Sequence, residues 1–385
     1  MSKSAKKTSK SDAAPSTSRR KFLAVAGATT AGATAALAFP QVSRAQTTTL
    51  KMQLAWGEKS IFAEMARQYI DRVEAMAGGR LKIKALSVGA VVGSKQIADA
   101  VSRRNVDAGH SVTAYWYSKN PAASLFGTGP VFGSNAQQII SWILNGGGKE
   151  LYRELIQDVM GLNIVGFFAM PMPTQPLGWF QKHVTSINDL KGLKYRTVGL
   201  AANVMAEMGM TVAQLPGGEI MQGMQTGRIE AFEFNNPTSD REFGAQDVSK
   251  FYHMSSYHQA AEFFEITFNK DVFEGLPDEH QAILQYSAEA ANTANYALAM
   301  DRYSNDLQTL INDDGVNVYR TDESILKAEL DAWDKVLVPL MEDSFFTKVV
   351  DSQKAWSERV AFYDLLNSAD YKLAYHHYFP GKLPF

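Results

Sequence analysis

Apolar and polar positions alternate from Leu50 to Ala55, the two-residue period of a strand. Ser60 then offers a helix cap, and Phe62, Met65, Tyr69, Val73 and Met76 recur at helical spacing until Gly78-Gly79 ends the run. Alternation returns over Leu81-Lys82-Ile83-Lys84-Ala85, followed by a predicted helix from Ser94 to Arg104 and a short strand from Val106 to Val112. Strand, helix, strand, helix, strand is the repeat of a parallel α/β sheet.

The same order restarts near Gly161. Asn163 to Phe168 reads as a strand, Ala201 to Met208 as a helix, Val212 to Leu215 as a strand, Gly218 to Gln225 as a helix closed by Gly227, and Ile229 to Phe234 as another strand. Two α/β units predict a two-lobed molecule with a ligand cleft at the strand ends between the lobes. From Pro277 to Asn312 an almost unbroken helical pattern runs into Asp313-Asp314-Gly315, and two more helices are predicted over Asp322 to Met341 and Ser344 to Leu366. On this reading 46–170 is the first lobe, completed by a segment near 265–300, and 171–260 is the second. The stretch 277–385 is a long helix with a helical tail, whose Trp333, Trp356, Tyr363 and Tyr371 read as core packing.

Residues 1–45 read as an address. Lys3, Lys6, Lys7 and Lys10 lead into Ser18-Arg19-Arg20-Lys21-Phe22-Leu23 and an Ala/Gly/Thr-rich run from Ala24 to Ala38, the pattern of a twin-arginine signal cut after Ser43-Arg44-Ala45. That run is too short and too diluted by Gly and Thr to span a bilayer. No cysteine is present, which excludes a lipid-anchored cysteine, disulfides, a thiol nucleophile and cysteine-ligated metals, so a soluble periplasmic protein is expected. The whole chain carries −2 and its first 45 residues +7, which leaves −9 on the remainder and argues against nucleic acid as a partner.

Three stretches carry a resemblance when taken in order: Leu193-Lys194-Tyr195-Arg196-Thr197-Val198-Gly199, Leu215-Pro216-Gly217-Gly218-Glu219-Ile220, and Gly227-Arg228-Ile229-Glu230-Ala231-Phe232-Glu233-Phe234. Trp56-Gly57, Gly178-Trp179-Phe180 and Phe268-Asn269-Lys270 add smaller matches. With these the chain resembles the solute-binding proteins of TRAP transporters (DctP-like), in the branch that binds α-keto acids and related monocarboxylates. The resemblance implies a clamshell α/β receptor of the type II-like kind with a long interlobe helix. It also implies a sodium or calcium ion beside the ligand, and membrane permease subunits as partners.

Within that picture Arg196 is the arginine that grips the ligand carboxylate, its paired N–H donors matching two oxygens and its charge surviving desolvation. On the residues alone, a surface arginine paired with Asp189 or another acid is the other reading. Glu233 and Glu265 stand in apolar surroundings, where a buried carboxylate must be paired or hold a metal. The resemblance makes both of them cation ligands, joined by the side-chain oxygen of Gln175 and the carbonyl of Phe234; for Glu265 a salt bridge across the sheet is the alternative. An all-oxygen set suits a hard cation. Tyr115, His258 and Asn203 are further candidates for ligand contact, with Asn235 behind them. Phe234 stands where the family has tryptophan, which removes indole bulk from the pocket wall and admits an acid larger than pyruvate.

A periplasmic metal-dependent enzyme acting on a carboxylate is the alternative function, and a sensor module a third. The sequence has neither an HExxH pair nor a Gly-x-Ser-x-Gly elbow to support a hydrolase. The helical tail also offers a homodimer contact.

Overall fold

The alternation around Leu50 folds as a strand, and Ser60 caps the helix that follows it: its hydroxyl accepts a hydrogen bond from the Phe62 amide at 3.1 Å at the head of Ile61–Met76. A cap of this kind is worth about 1 kcal/mol. These elements come from a computed structural model that describes residues 47–383; the signal read over residues 1–45 lies outside them. The described strands, in chain order, are β1 (Thr48–Leu54), β2 (Leu81–Leu86), β3 (Ala108–Val112), β4 (Ile164–Met172), β5 (Gly178–Phe180), β6 (Lys194–Arg196), β7 (Thr211–Ala213), β8 (Ala231–Phe232), β9 (Phe251–Met254), β10 (Glu262–Asn269) and β11 (Asn317–Arg320).

They form two sheets, ordered β2-β1-β3-β10-β4 and β11-β9-β5-β8-β6-β7. Each defines a lobe. The β1–β2 and β1–β3 pairs are parallel as the alternation predicts, but β10 lies antiparallel between β3 and β4. This late strand returns from the second lobe to complete the first sheet. All eight of its residues are buried, because it is covered on both faces, so it shows no alternation for a sequence reading to catch.

Among the described residues three segments pass between the lobes before the tail, which crosses once more between Leu340 and Ser344. Two are extended: β4 to β5, and β9 to β10. They are tied together where the Gln175 amide donates to the Gln259 carbonyl at 3.1 Å and the Thr174 hydroxyl to the Ala260 carbonyl at 3.0 Å. The third is the helix Asp278–Asn312, 35 residues long and within a residue of the predicted span. Tyr69 of the first lobe donates to its Leu284 carbonyl, and Thr238 of the second lobe donates to its Asp306 carboxylate at 2.6 Å.

The tail divides its packing. Glu323–Leu340 lies on the second lobe beside the helix Ala201–Glu207, and Ser344–Asn367 lies on the first beside Ala136–Asn145. Trp333 is buried and Trp356 half-buried, in line with core packing. Tyr363 and Tyr371 are not: they are 64% and 74% exposed, because the tail runs on past the body it packs against.

The second extended crossing is pinned from the tail. Glu329 accepts from the Ser256 hydroxyl at 2.5 Å and from the Tyr257 amide at 2.6 Å. The His258 ring shares the Ser256 hydroxyl through Nδ1, at 2.5 Å. Burial pushes the Glu329 carboxyl up to about 7 and the His258 imidazole down to about 3. A carboxyl raised above its unfolded value contributes stability that is fully present below about pH 4.5 and lost as pH rises through 7. Glu329→Gln removes that titration, so its unfolding free energy between pH 5 and 8 should fall less than wild type's, by roughly 2–3 kcal/mol. Parallel stability curves for the two proteins would discard Glu329 as the titrating group.

Candidate functional site

Strand β6 ends on Arg196, and β8 ends one residue before Glu233, so the parallel β6–β8 pair delivers a guanidinium and a carboxylate to the same edge of the second sheet. Both side chains are buried. Arg196 Nη1 donates to the Glu233 carboxylate at 3.0 Å and to the Glu233 carbonyl at 2.7 Å, and Nε donates to the Leu215 carbonyl at 2.9 Å. The guanidinium carbon lies 5.9 Å from the centre of the Phe234 ring. Gly217 permits that ring position, since a Cβ there would stand 2.6 Å from it.

Facing this pair from β10 is Glu262, which sequence reasoning did not select. Its Oε2 accepts from Gln175 Nε2 at 2.6 Å and from Asn235 Nδ2. Asn236 in turn donates to the Asn235 side chain at 2.6 Å. Asp240 fixes this turn by accepting from the amides of Asn235 and Asn236, each at 3.2 Å, and from Trp179 and Tyr252. Arg196, Glu262, Asn235, Tyr115, Phe234 and Trp56 share the wall of one inner cavity between the lobes.

Burial and the neighbouring Glu233 push the Glu262 carboxyl up to about 8, against the pull of Gln175, Asn235 and Arg196. Burial likewise raises Glu233 to about 7, with Arg196 opposing it. The Tyr115 hydroxyl is pushed to about 12 by burial, with Arg196 acting against Glu262 and Glu233. Among the described residues the buried Gln175 Oε1 has no hydrogen-bond partner, and Glu233 Oε2 has at most the Thr197 hydroxyl beside it. Two mutually repelling carboxylates with an unpaired oxygen beside them form a donor set that fits a hard cation and offers nothing soft.

The remaining sequence candidates lie elsewhere. Glu265 is three residues from Glu262 on β10, and an odd spacing turns it to the opposite face, where it pairs with the Tyr152 hydroxyl among Phe168 and its neighbours. It does not join Gln175, Glu233 and Arg196. His258 belongs to the Ser256–Glu329 group at the crossing. Asn203 accepts from Tyr117 at 3.1 Å and lines a separate groove against the helix Glu323–Leu340. The signal for Glu262 was its place beside Gln259, at the point where the chain changes lobes.

Outside the inner cavity, and sharing Trp56, Tyr115 and Phe234 with it, opens a second cavity of about 650 Å³. Two α/β lobes joined by several crossings, with charged groups converging on the cleft, define a binding protein that closes around a small solute. The chain belongs to the DctP family, bacterial extracellular solute-binding protein family 7, whose model matches residues 52–348. It is the solute-binding receptor of a TRAP transporter, and the enzyme alternative finds no support among its relatives.

A monocarboxylate 2-oxoacid-binding periplasmic protein of Nostoc sp. is 30% identical over 302 residues, which is 78% of this chain and 82% of that one. A TRAP transporter solute-binding protein of Bordetella bronchiseptica superposes with a TM-score of 0.80 at 26% identity, over 86% of this chain and 98% of that one; its crystal is a mixed-occupancy dimer with copurified calcium and picolinate in one site. The TRAP solute-binding protein of Colwellia psychrerythraea, with bound calcium and pyruvate, superposes at 0.78 with 27% identity, over 87% of this chain and all of that one. That of Pseudoalteromonas atlantica, with bound sodium and pyruvate, also superposes at 0.78, with 26% identity over 87% of this chain and all of that one.

Proposed function

We propose that this receptor captures a 2-oxo or 2-hydroxy monocarboxylate between Arg196 and a sodium or calcium ion, and hands it to the membrane permease subunits of its transporter. The observation that carries the proposal is the buried cluster of Arg196, Glu233, Glu262, Gln175 and Asn235 at the junction of the lobes. Arg196 holds the ligand carboxylate, since its charge persists when water is excluded. Tyr115, from the first lobe, supplies a hydroxyl donor that its raised pKa keeps protonated. Glu233, Glu262, the Gln175 side-chain oxygen and the Phe234 carbonyl would hold the cation, with Glu262 taking the place expected of Glu265. A bound cation would balance the negative charge that the ligand adds to the two glutamates. Near neutral pH Glu262 carries a proton instead, so filling the site releases it. The relatives that bind pyruvate with calcium or sodium support this reading.

Pyruvate with calcium should raise the melting temperature of the purified protein, because a ligand of the folded state stabilises it by mass action. Arg196→Ala should lose that shift; a shift of wild-type size in the variant removes the arginine from the site. Calcium content measured on purified protein should fall several-fold in Glu262→Gln and stay at the wild-type level in Glu265→Gln. The reverse pattern would restore Glu265 as the ligand.

Two finer points belong to the same reading. The twin-arginine pattern at Arg19-Arg20 directs export to the periplasm. Lysine at both positions should leave the precursor in the cytoplasm, and unchanged export would point to another route. The second concerns the tail, where Phe362, Tyr363, Leu365, Leu366 and Tyr371 are exposed, Leu365 by 77%. An apolar run of this length is covered by a second copy of the chain, as supported by the dimeric Bordetella relative. Light scattering should give a dimer that Leu365→Glu with Leu366→Glu converts to a monomer; a monomeric wild type would end this part of the proposal.

A further inference from the structure

We infer that the receptor is built for 2-oxo monocarboxylates with an extended apolar side chain, branched aliphatic or aromatic, in preference to pyruvate. The inference rests on the proposed seat of the carboxylate at Arg196 and deepens it by naming the rest of the ligand. Room in the cleft is unevenly divided. The inner cavity at Arg196 and Glu262 offers about 20 Å³, whereas the outer one offers about 650 Å³, the range of sites for much larger molecules. The two share Trp56, Tyr115 and Phe234, so whatever extends beyond the 2-oxo carboxylate passes between these three rings into the outer space.

That space is lined for an apolar group. Trp56, Val88, Tyr115, Pro216, Phe234 and Phe243 face it from both lobes. Phe234 and Phe243 meet edge to face at 4.9 Å, which gives a wall suited to a ring or a branched chain. The charged groups sit at the margin: Glu58 and Lys59 are exposed, and Glu242 accepts a hydrogen bond from the Ile61 amide at 3.3 Å. None of them demands a charged tail, and pyruvate, with its single methyl group, leaves this wall uncovered. Each buried methylene multiplies affinity by about four, so the three extra carbons of α-ketoisocaproate should improve binding at least tenfold over pyruvate.

Two glycines on the wall allow the cavity to be plugged. A Cβ built on Gly57 or on Gly218 meets nothing within 4 Å, and neither residue has a left-handed backbone. Both glycines line the outer cavity, so Gly218→Leu and Gly57→Leu each add a branched side chain at its wall.

The test is calorimetric titration of the full mature protein with pyruvate, α-ketoisocaproate and phenylpyruvate, in calcium and in sodium. Wild type should bind the two longer acids at least tenfold more tightly than pyruvate. Each leucine variant should erase that preference while keeping its pyruvate affinity within about twofold of wild type; two variants guard against one failing to fold. Wild type that binds pyruvate as tightly as the longer acids overturns the inference and leaves the Arg196 reading standing. A preference untouched by either plug also overturns it, since the side chain would then lie elsewhere. If none of the three acids binds with either cation, the reading beneath it falls as well.

Discussion

The pairing of Arg196 with Glu233 is the constraint around which the second lobe is arranged. A guanidinium taken out of water is tolerable only if its donors are met, and here the Glu233 carboxylate, the Glu233 carbonyl and the Leu215 carbonyl meet Nε and Nη1. Those three acceptors lie at the ends of β8 and of the segment after β7, so the arginine fixes the relative height of neighbouring strands as well as its own direction. Removing either partner would strand a buried charge, at a cost of about 3–5 kcal/mol. The same pair narrows the choice of ligand, since a positive group with Glu233 already beside it still attracts a small anion. A neutral solute gains little from it.

The first lobe contributes through what crosses into it. Glu262 is the first residue of β10, and Gln175 lies on the other extended crossing, hydrogen-bonded to it. The polar groups opposite Arg196 are therefore carried by the connections between the lobes and not by the open faces of the jaws. The two crossings are tied to each other by the Gln175–Gln259 and Thr174–Ala260 bonds, and the second is held in addition by Glu329 from the tail.

Much of this was legible in the sequence, in a graded way. The strand–helix alternation of the first lobe and the long helix were set by periodicity, which survives wherever one face is buried and the other wet. The short strands β5, β9 and β11 carry too few residues and escaped, whereas the all-buried β10, without alternation, was legible only as the buried surroundings of Glu265. Arg196, Glu233, Gln175 and Tyr115, read respectively from motif, apolar surroundings, the resemblance and the end of the third strand, do meet at the cleft. Glu265 was chosen over Glu262 because both glutamates flank the same phenylalanines, and only the face of the strand separates them. Strand register is set by hydrogen bonds to β3 and β4, which are distant in sequence. His258 and Asn203 were polar residues near the right motifs whose partners, Ser256 and Tyr117, could not be seen from spacing.

The helix Asp278–Asn312 contains neither glycine nor proline and is about 52 Å long. Sharp kinks in helices need proline, glycine pairs or inserted groups, and this one has no such weak point in its sequence. It is anchored to the first lobe near its start and to the second near its end, at Tyr69 and Thr238. A rod fastened in this way cannot fold up when the jaws meet. It holds its two anchor points, Leu284 and Asp306, at a separation fixed by helical rise, about 33 Å along the axis.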